Sequence, residues 1–340
     1  MTNATKSLAL IFAGTLALAV ASSWSWSGSS GASFRTKLLT VDTSAVKAVR
    51  IARNDGSTIR LQKTESGWTV GSDEAKTAYP AQSSAVTRLL NTLPSISVKA
   101  VAARQSDKHP RYGVDSTGTT VTLLDSGDET LGSLLVGRTE FQSRNKENSG
   151  KTSPMQRMRR QGTSVTYVRR PNQPDVYSVE ASLESMLSKN VEDWRNKTIW
   201  SAAQSNVQRI YLTTAGDSAA ADTTFSLQRA VASDTASTGP PTWLSNGDTL
   251  STDAVTSVLT TLASPRASGF AEHTSPNQLK NPRHKVRLRL SDGSEHTLKL
   301  YPDPSSNDTY LGTASDYPSV ARLQKRRWDG VFKPRSTFLK

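Results

Sequence analysis

The sequence predicts an α+β protein made of two tandem, similar modules that follow an N-terminal transmembrane or signal helix. Each module is expected to be a mainly antiparallel sheet with packed helices. Three observations predict this class: an uncharged apolar stretch at residues 7–26, a hairpin pattern that occurs twice, and a series of matched segments that recurs in the same order. A chain of 340 residues is long enough for two domains with cores of their own.

The N-terminal stretch SLALIFAGTLALAVASSWSW, residues 7–26, contains no charged side chain. Its length suits either the hydrophobic region of a signal peptide or a helix that spans a bilayer. Lys6 precedes it, which fits a cytoplasmic N-terminus under the positive-inside rule. We expect residues 1–26 to be a signal peptide or signal-anchor, with the anchor slightly favoured, and residues 27–39 to be a linker. Both interpretations export residues 35–340.

The hairpin pattern occurs at residues 120–137, TVTLLDSGDETLGSLLVG, and at residues 286–301, VRLRLSDGSEHTLKLY. In each, apolar alternation flanks a short turn that contains Asp and Gly, which is a strong hairpin signal. The second pattern predicts that Val286 and Leu288 face a core while Arg287 and Arg289 face water. We interpret these arginines as a solvated basic face rather than as a grip on a polyanion.

The segments around the two hairpins match as well. In both halves the order is a leading strand, a Leu-Gln-Lys/Arg strand that leads to a Trp, an apolar-striped helix, the hairpin, a Tyr strand and a closing segment. The matched pairs are 44–51 with 205–212, 57–70 with 223–245, 85–93 with 254–262, 166–179 with 309–320, and 194–200 with 332–338. One order found twice indicates duplication, so we predict a first module at 40–200 and a second at 205–340.

Three tryptophans are expected to be structural anchors, because buried aromatic side chains dominate core packing. Trp68 and Trp243 hold equivalent places in the two predicted modules, and Trp194 begins the closing segment of the first.

The net charge of +13 is concentrated in two blocks, residues 141–170 and 320–340, and the rest of the chain is balanced. Residues 140–164 are polar and basic without periodicity, which predicts a mobile insert. Two interpretations of its cations stay open. They contact an anionic lipid surface or an acidic partner, or they serve only to keep the loop soluble. The residues predicted to contact a partner or lipid are Arg157, Arg159, Arg160, Arg169, Arg170, Arg326 and Arg327. A balanced body does not favour nucleic acid as a partner.

The sequence contains no recognisable catalytic or metal-binding constellation. It has no Cys, no nucleophile elbow, no phosphate-binding Gly-rich motif and no zinc-binding His-Glu-x-x-His. Its four His are not at metal-ligand spacing, and its paired carboxylates lie in turns, where Asp commonly shapes the backbone. We therefore assign no catalytic residue, cofactor, metal ligand or small-molecule substrate.

An N-terminal membrane segment followed in order by VKAVRI, IRLQKTESGWTV, AVTRLLNTL, RYGVD, LLVG, TYV…VYSV and DWRNKTI resembles the bacterial domain-of-unknown-function family 4340. The resemblance covers nearly the whole chain after about residue 40, and the 140–164 insert departs from it. It implies a protein encoded beside ABC-transporter permeases and gliding-motility-associated transport proteins. The implied partners are integral-membrane transporter subunits, and the implied location is the inner membrane, single-pass, with residues 35–340 periplasmic.

These observations predict a non-enzymatic, membrane-tethered accessory subunit of an ABC transporter or envelope complex. The alternative is an envelope protein that binds a ligand or glycan, or hydrolyses one, in a cleft between the modules. A third hypothesis is polyanion binding through the two basic blocks.

Overall fold

The computed structural model describes residues 37–73, 77–143, 162–216, 221–230 and 241–340. The predicted membrane segment at 7–26 lies outside the described residues, as do Arg157, Arg159 and Arg160. Among the residues that are described, no helix is both long enough and apolar enough to cross a bilayer.

Within the described chain, two nine-stranded sheets are formed, and every pairing within them is antiparallel. The strands of the first sheet are β1 (Ala48–Ala52), β2 (Thr58–Thr64), β3 (Gly67–Ser72), β4 (Tyr79–Pro80), β5 (Val98–Ala103), β6 (Thr119–Leu124), β7 (Thr130–Ser143), β8 (Gly162–Arg169) and β9 (Val176–Val179). The strands of the second sheet are β10 (Val207–Thr214), β11 (Thr223–Arg229), β12 (Trp243–Ser245), β13 (Asp248–Thr249), β14 (Gly269–Phe270), β15 (His284–Leu290), β16 (Glu295–Pro302), β17 (Thr309–Ala314) and β18 (Tyr317–Gln324).

The helices are α1 (Ser83–Ser95), α2 (His109–Tyr112), α3 (Glu184–Leu187), α4 (Val191–Trp194), α5 (Thr252–Leu262) and α6 (Lys325–Asp329), with four short 3₁₀ segments among the described residues. The two long helices, α1 and α5, bury their predicted apolar stripes. In α5 the Ser251 hydroxyl accepts a hydrogen bond from the Ala254 amide, which caps the first turn.

The two sheets have the same topology. The strand order of the first is β4-β3-β2-β1-β6-β7-β8-β9-β5, and that of the second is β13-β12-β11-β10-β15-β16-β17-β18-β14. Each strand of one sheet therefore has a counterpart in the same place in the other, and α1 and α5 follow corresponding strands. This agreement confirms the predicted α+β class and the duplication.

By the density of its internal contacts, the chain divides into two compact units. Unit 1 contains the described residues up to Thr58 together with Arg88–Ser188, and unit 2 contains Ile59–Thr87 together with Lys189–Lys340. In unit 2 the stripe of α5 packs on the second sheet, and we call that side of the sheet its core face. As predicted, Val286 and Leu288 of β15 are buried on the core face, whereas Arg289 is exposed.

One of the predicted matches between the halves was wrong in register. The Gln82 amide donates to the Trp194 carbonyl at 2.7 Å, and the equivalent Ser251 amide donates to the Phe338 carbonyl at 2.8 Å. Trp194 therefore corresponds to Phe338 and not to Phe332. The segment FKPRSTF has Phe at both ends, and only the backbone pairing distinguishes the two alignments.

The predicted insert at 140–164 is shorter than expected at both ends. Strands β7 and β8 continue into it, with Glu140 opposite Val165 and Ser143 opposite Gly162. The residues between these strand ends, 144–161, lie outside the part of the chain that is described.

Candidate functional site

Two of the predicted contact residues, Arg169 and Arg170, hold backbone segments of unit 1 in place. The Nε atom of Arg169 donates to the Val114 carbonyl at 2.9 Å, and that of Arg170 donates to the Leu38 carbonyl at 2.7 Å. Both side chains are half-buried. Their guanidinium groups have structural hydrogen bonds, and their contact with a partner stays a prediction.

The other two described contact residues, Arg326 and Arg327, lie together on the short helix α6 of unit 2, and both are exposed. The side of α6 that faces away from solvent anchors this helix to unit 2. Trp328 is 1% exposed within the core, and the Tyr310 hydroxyl donates to the Asp329 carboxylate at 2.7 Å. We call residues 325–329 the basic turn: it presents cations to solvent from a position fixed by a buried ring and a hydrogen bond.

Beneath the basic turn lies a buried polar side chain, His284, whose sequence context predicts an ordinary surface histidine. The His284 ring stacks on Phe332 at 4.3 Å between centroids, and its Nδ1 lies 3.0 Å from the Thr214 hydroxyl. Burial lowers the pKa of His284 to about 4, so the ring is neutral at pH 7. Burial also raises the pKa of Tyr310, and its hydrogen bond to Asp329 adds to this effect.

Arg195 is a second buried group that sequence reasoning missed. The carbon of its guanidinium lies 3.6 Å from the centroid of the Tyr79 ring and 3.5 Å from that of Phe270, so the charge is held between two aromatic faces. Its Nη2 atom donates to the Ser319 hydroxyl at 2.7 Å, and its Nη1 atom lies 3.9 Å from a carboxylate oxygen of Glu272. Burial lowers the pKa of Arg195, against the opposing influence of nearby Tyr and Glu side chains.

These contacts make Arg195 a structural residue of unit 2 rather than a reactive one. The residue is 2% exposed, and its partners are protein groups. In the second half of the chain the corresponding residue is Leu339, which forms the same isolated bridge with Leu250 that Arg195 forms with Ala81. No local motif marks Arg195, because its surroundings come from strands far away in the sequence.

The predicted tryptophan anchors differ in burial. Trp194 and Trp243 are buried, whereas Trp68 is half-buried. The equivalence of Trp68 and Trp243 is visible in the register, since Trp68 pairs with Lys63 and Trp243 pairs with Arg229.

A cation site is not formed in the described part of the chain, where no three His, Asp or Glu side chains converge. A cavity of about 270 Å³ in unit 2 is lined by Glu192, Glu272, His273 and Arg322 among others. A carboxylate oxygen of Glu192 accepts from the Phe270 amide at 3.1 Å, so this group supports strand β14.

Fold and surface together define a duplicated α+β protein with exposed basic surfaces. The model of the family described as Domain of unknown function (DUF4340) matches residues 73–145 and 159–282. The matched segments cover more than half of the chain, and the protein therefore belongs to this family. The residues between them, 146–158, fall inside the predicted insert. No curated protein and no solved structure matches the chain.

Proposed function

We propose that the protein is a non-enzymatic, membrane-tethered extracytoplasmic accessory subunit of an ABC transporter or another envelope complex. The observation that carries this proposal is the basic turn, which holds Arg326 and Arg327 in solvent on a helix fixed by Trp328. The tether is the apolar segment 7–26, and the partner is an integral-membrane subunit with an acidic periplasmic surface.

The geometry of the basic turn suits recognition of such a surface. Cations on a flexible segment lose conformational entropy when they bind, whereas those on a fixed turn lose less. Complementary charge also steers encounter and fixes orientation more than it adds raw affinity. A protein held at the membrane by one segment needs only a modest second contact, since the tether raises the effective concentration of its partner.

The test is affinity capture of the full chain from detergent-solubilised membranes of its own organism, with quantitative mass spectrometry. The matched variants are Arg326→Glu with Arg327→Glu, and a control in which the exposed Lys63 and Lys280 are changed to Glu. We expect the wild type and the control to recover the same transporter subunits and the basic-turn variant to recover at least about tenfold less. Repeated recovery of the bait alone, from both wild type and control, contradicts the proposal.

The tether is tested separately. Protease added to intact spheroplasts should digest residues 35–340. In a separate experiment without protease, the protein should stay in the membrane fraction after a salt wash. Release by the wash, or protection from the protease, contradicts a tethered extracytoplasmic protein.

A further inference from the structure

The outer face of the second sheet, opposite its core face, carries a concentrated set of cations. On the central strands β10, β15 and β16, alternate residues point to this side. Between β10 and β15, Arg209 lies opposite Arg289, Tyr211 opposite Arg287, and Thr213 opposite Lys285. Between β15 and β16, Lys285 lies opposite Lys299. We call Arg209, Lys285, Arg287, Arg289 and Lys299 the cationic face. In these three strands Glu295 is the acidic residue on the same side.

The arrangement of the cationic face is unfavourable for the fold itself. Lys285 and Lys299 are directly opposed across two strands, and so are Arg209 and Arg289. Like charges in directly opposed positions destabilise an antiparallel pair. An anion placed between them removes that repulsion.

Two of the arginines are held in position by an aromatic ring. The guanidinium carbon of Arg287 lies 4.3 Å from the centroid of Tyr211, and Nη1 of Arg209 donates to the Tyr211 hydroxyl at 3.1 Å. Arg287 also lies 3.9 Å from a carboxylate oxygen of Glu295. Arg209 and Arg287 are therefore ordered on the sheet rather than spread into solvent.

The first sheet provides an internal reference for this face. In each sheet, three buried residues lie side by side on neighbouring strands. Ile51, Val121 and Leu134 of the first sheet correspond to Leu212, Val286 and Leu298 of the second. With this alignment, the first-sheet residues in place of Arg209, Lys285, Arg287, Arg289 and Lys299 are Ala48, Thr120, Thr122, Leu124 and Leu135. The same topology thus forms without any of these cations, so they are not needed for folding.

A groove continues the cationic face along the sheet. It encloses about 540 Å³ and is lined by residues 276, 277 and 279 together with residues of β16 and β17. The polar residues of its lining are Asn277, Thr297, Lys299, Tyr301, Thr313 and Ser315. Thr297 and Lys299 line the groove and also pair with Arg287 and Lys285 of the cationic face, so the two surfaces are continuous.

We propose that this surface binds an acidic polysaccharide. Carboxylate or sulfate groups of the chain meet the cationic face, while its hydroxyl groups meet the hydroxyls and the amide of the groove. The surface from Tyr211 to Thr313 spans three strand spacings, about 14 Å, which suits an extended chain lying across the strands. A polyanion without hydroxyl groups would use the cations and gain nothing from the groove. This inference goes beyond the proposed accessory role and does not depend on it, because the basic turn belongs to the core-face side of the sheet.

The experiment is titration calorimetry of the full-length protein in detergent micelles with oligogalacturonate, at low and at moderate salt. Malto-oligosaccharide serves as the neutral probe, and polyglutamate and duplex DNA serve as polyanions of other classes. The face variant is Lys285→Thr, Arg287→Thr, Lys299→Leu, which installs the residues of the first sheet. The groove variant is Asn277→Ala with Thr313→Val, and Lys63→Thr with Lys280→Thr is the control for lost charge.

We expect oligogalacturonate to bind the wild type and the control, and malto-oligosaccharide to bind neither. The face variant should lose about 100-fold in affinity at low salt, since each exposed charge contributes up to about fivefold. The groove variant should lose about tenfold for oligogalacturonate and nothing for polyglutamate. Thermal unfolding of each variant checks its folding, and Lys299→Leu alone repeats the test should the triple variant unfold.

Three outcomes overturn the proposal. The first is an absence of oligogalacturonate binding by the wild type at low salt. The second is a preference for polyglutamate or DNA, together with an unaffected groove variant, which would identify a general polyanion surface. The third is equal loss of binding in the control and the face variant.

Discussion

Acidification from pH 7 to pH 4 is expected to destabilise the second unit through one buried side chain, His284. Its ring is 7% exposed and stacks on Phe332, and its Nδ1 lies 3.0 Å from the hydroxyl of Thr214. Burial is the largest cause of its low pKa. Arg283 and Lys325 act in the same direction, while Asp329 opposes them.

The size of the effect follows from the difference between the folded and unfolded pKa values. The pKa is lowered from 6.5 to about 4 in the folded protein. Between these two pH values the imidazole of His284 is protonated in the unfolded chain but stays neutral in the folded protein. The stability that depends on neutral His284 is therefore fully present above pH 6.5 and is lost progressively as the pH falls to about 4. Each pH unit in this window is worth about 1.4 kcal/mol, so the total loss is about 3 kcal/mol.

The assay is urea unfolding of the full chain in detergent micelles, followed by tryptophan fluorescence at intervals between pH 4 and pH 8. His284→Phe keeps an aromatic ring against Phe332 and removes the titrating group, so its unfolding free energy should lose this slope. His273→Gln is the control, because His273 is exposed. If the pH slopes of wild type and His284→Phe coincide across this window, the reasoning about His284 is wrong.

Three further substitutions test individual parts of the fold. Arg195→Ala should lower the free energy of unfolding by about 3 kcal/mol, since it empties the space between two rings. Arg195→Met should restore most of the lost free energy, as measured by chemical denaturation. Trp328→Ala should cost about 3–5 kcal/mol and lower partner capture as strongly as loss of the arginines of the basic turn, measured by denaturation and by affinity capture. Gly137→Ala should prevent normal folding, because its Cβ would overlap the backbone oxygen of Tyr112. By contrast, Gly127→Ala, whose Cβ meets nothing closer than 3.5 Å, should leave the thermal midpoint nearly unchanged.

The parts of the fold that could be predicted are those with a strong local period. The alternation in β15 fixed which side of the strand is buried, and the helical period fixed the buried stripe of α5. Repetition of these patterns in one order was sufficient to predict two similar sheets. The closing segments were misaligned because they have no period, and a single backbone pairing at Trp194 or Phe338 defines their place.

The site features that escaped prediction all depend on residues that are distant in sequence. Arg195 reads as an ordinary surface arginine, yet Tyr79 and Phe270 enclose it from positions more than seventy residues away. The sequence showed Arg287 and Arg289 as a basic edge of one hairpin. Recognising that Arg209 joins them requires the pairing of β10 with β15, which no pattern within the hairpin specifies.

The duplication makes each half of the chain a reference for the other, and this changes how a basic surface is interpreted. In a protein with one sheet, an exposed Lys opposite another Lys has no reference against which its cost can be judged. Here the equivalent pair in the first sheet is Thr120 with Leu135, in a sheet of the same topology. At five positions of this outer face the first half has uncharged residues, whereas the second half presents cations beside an open groove. A difference of this kind between two copies of one fold is expected where one copy has kept or acquired a ligand.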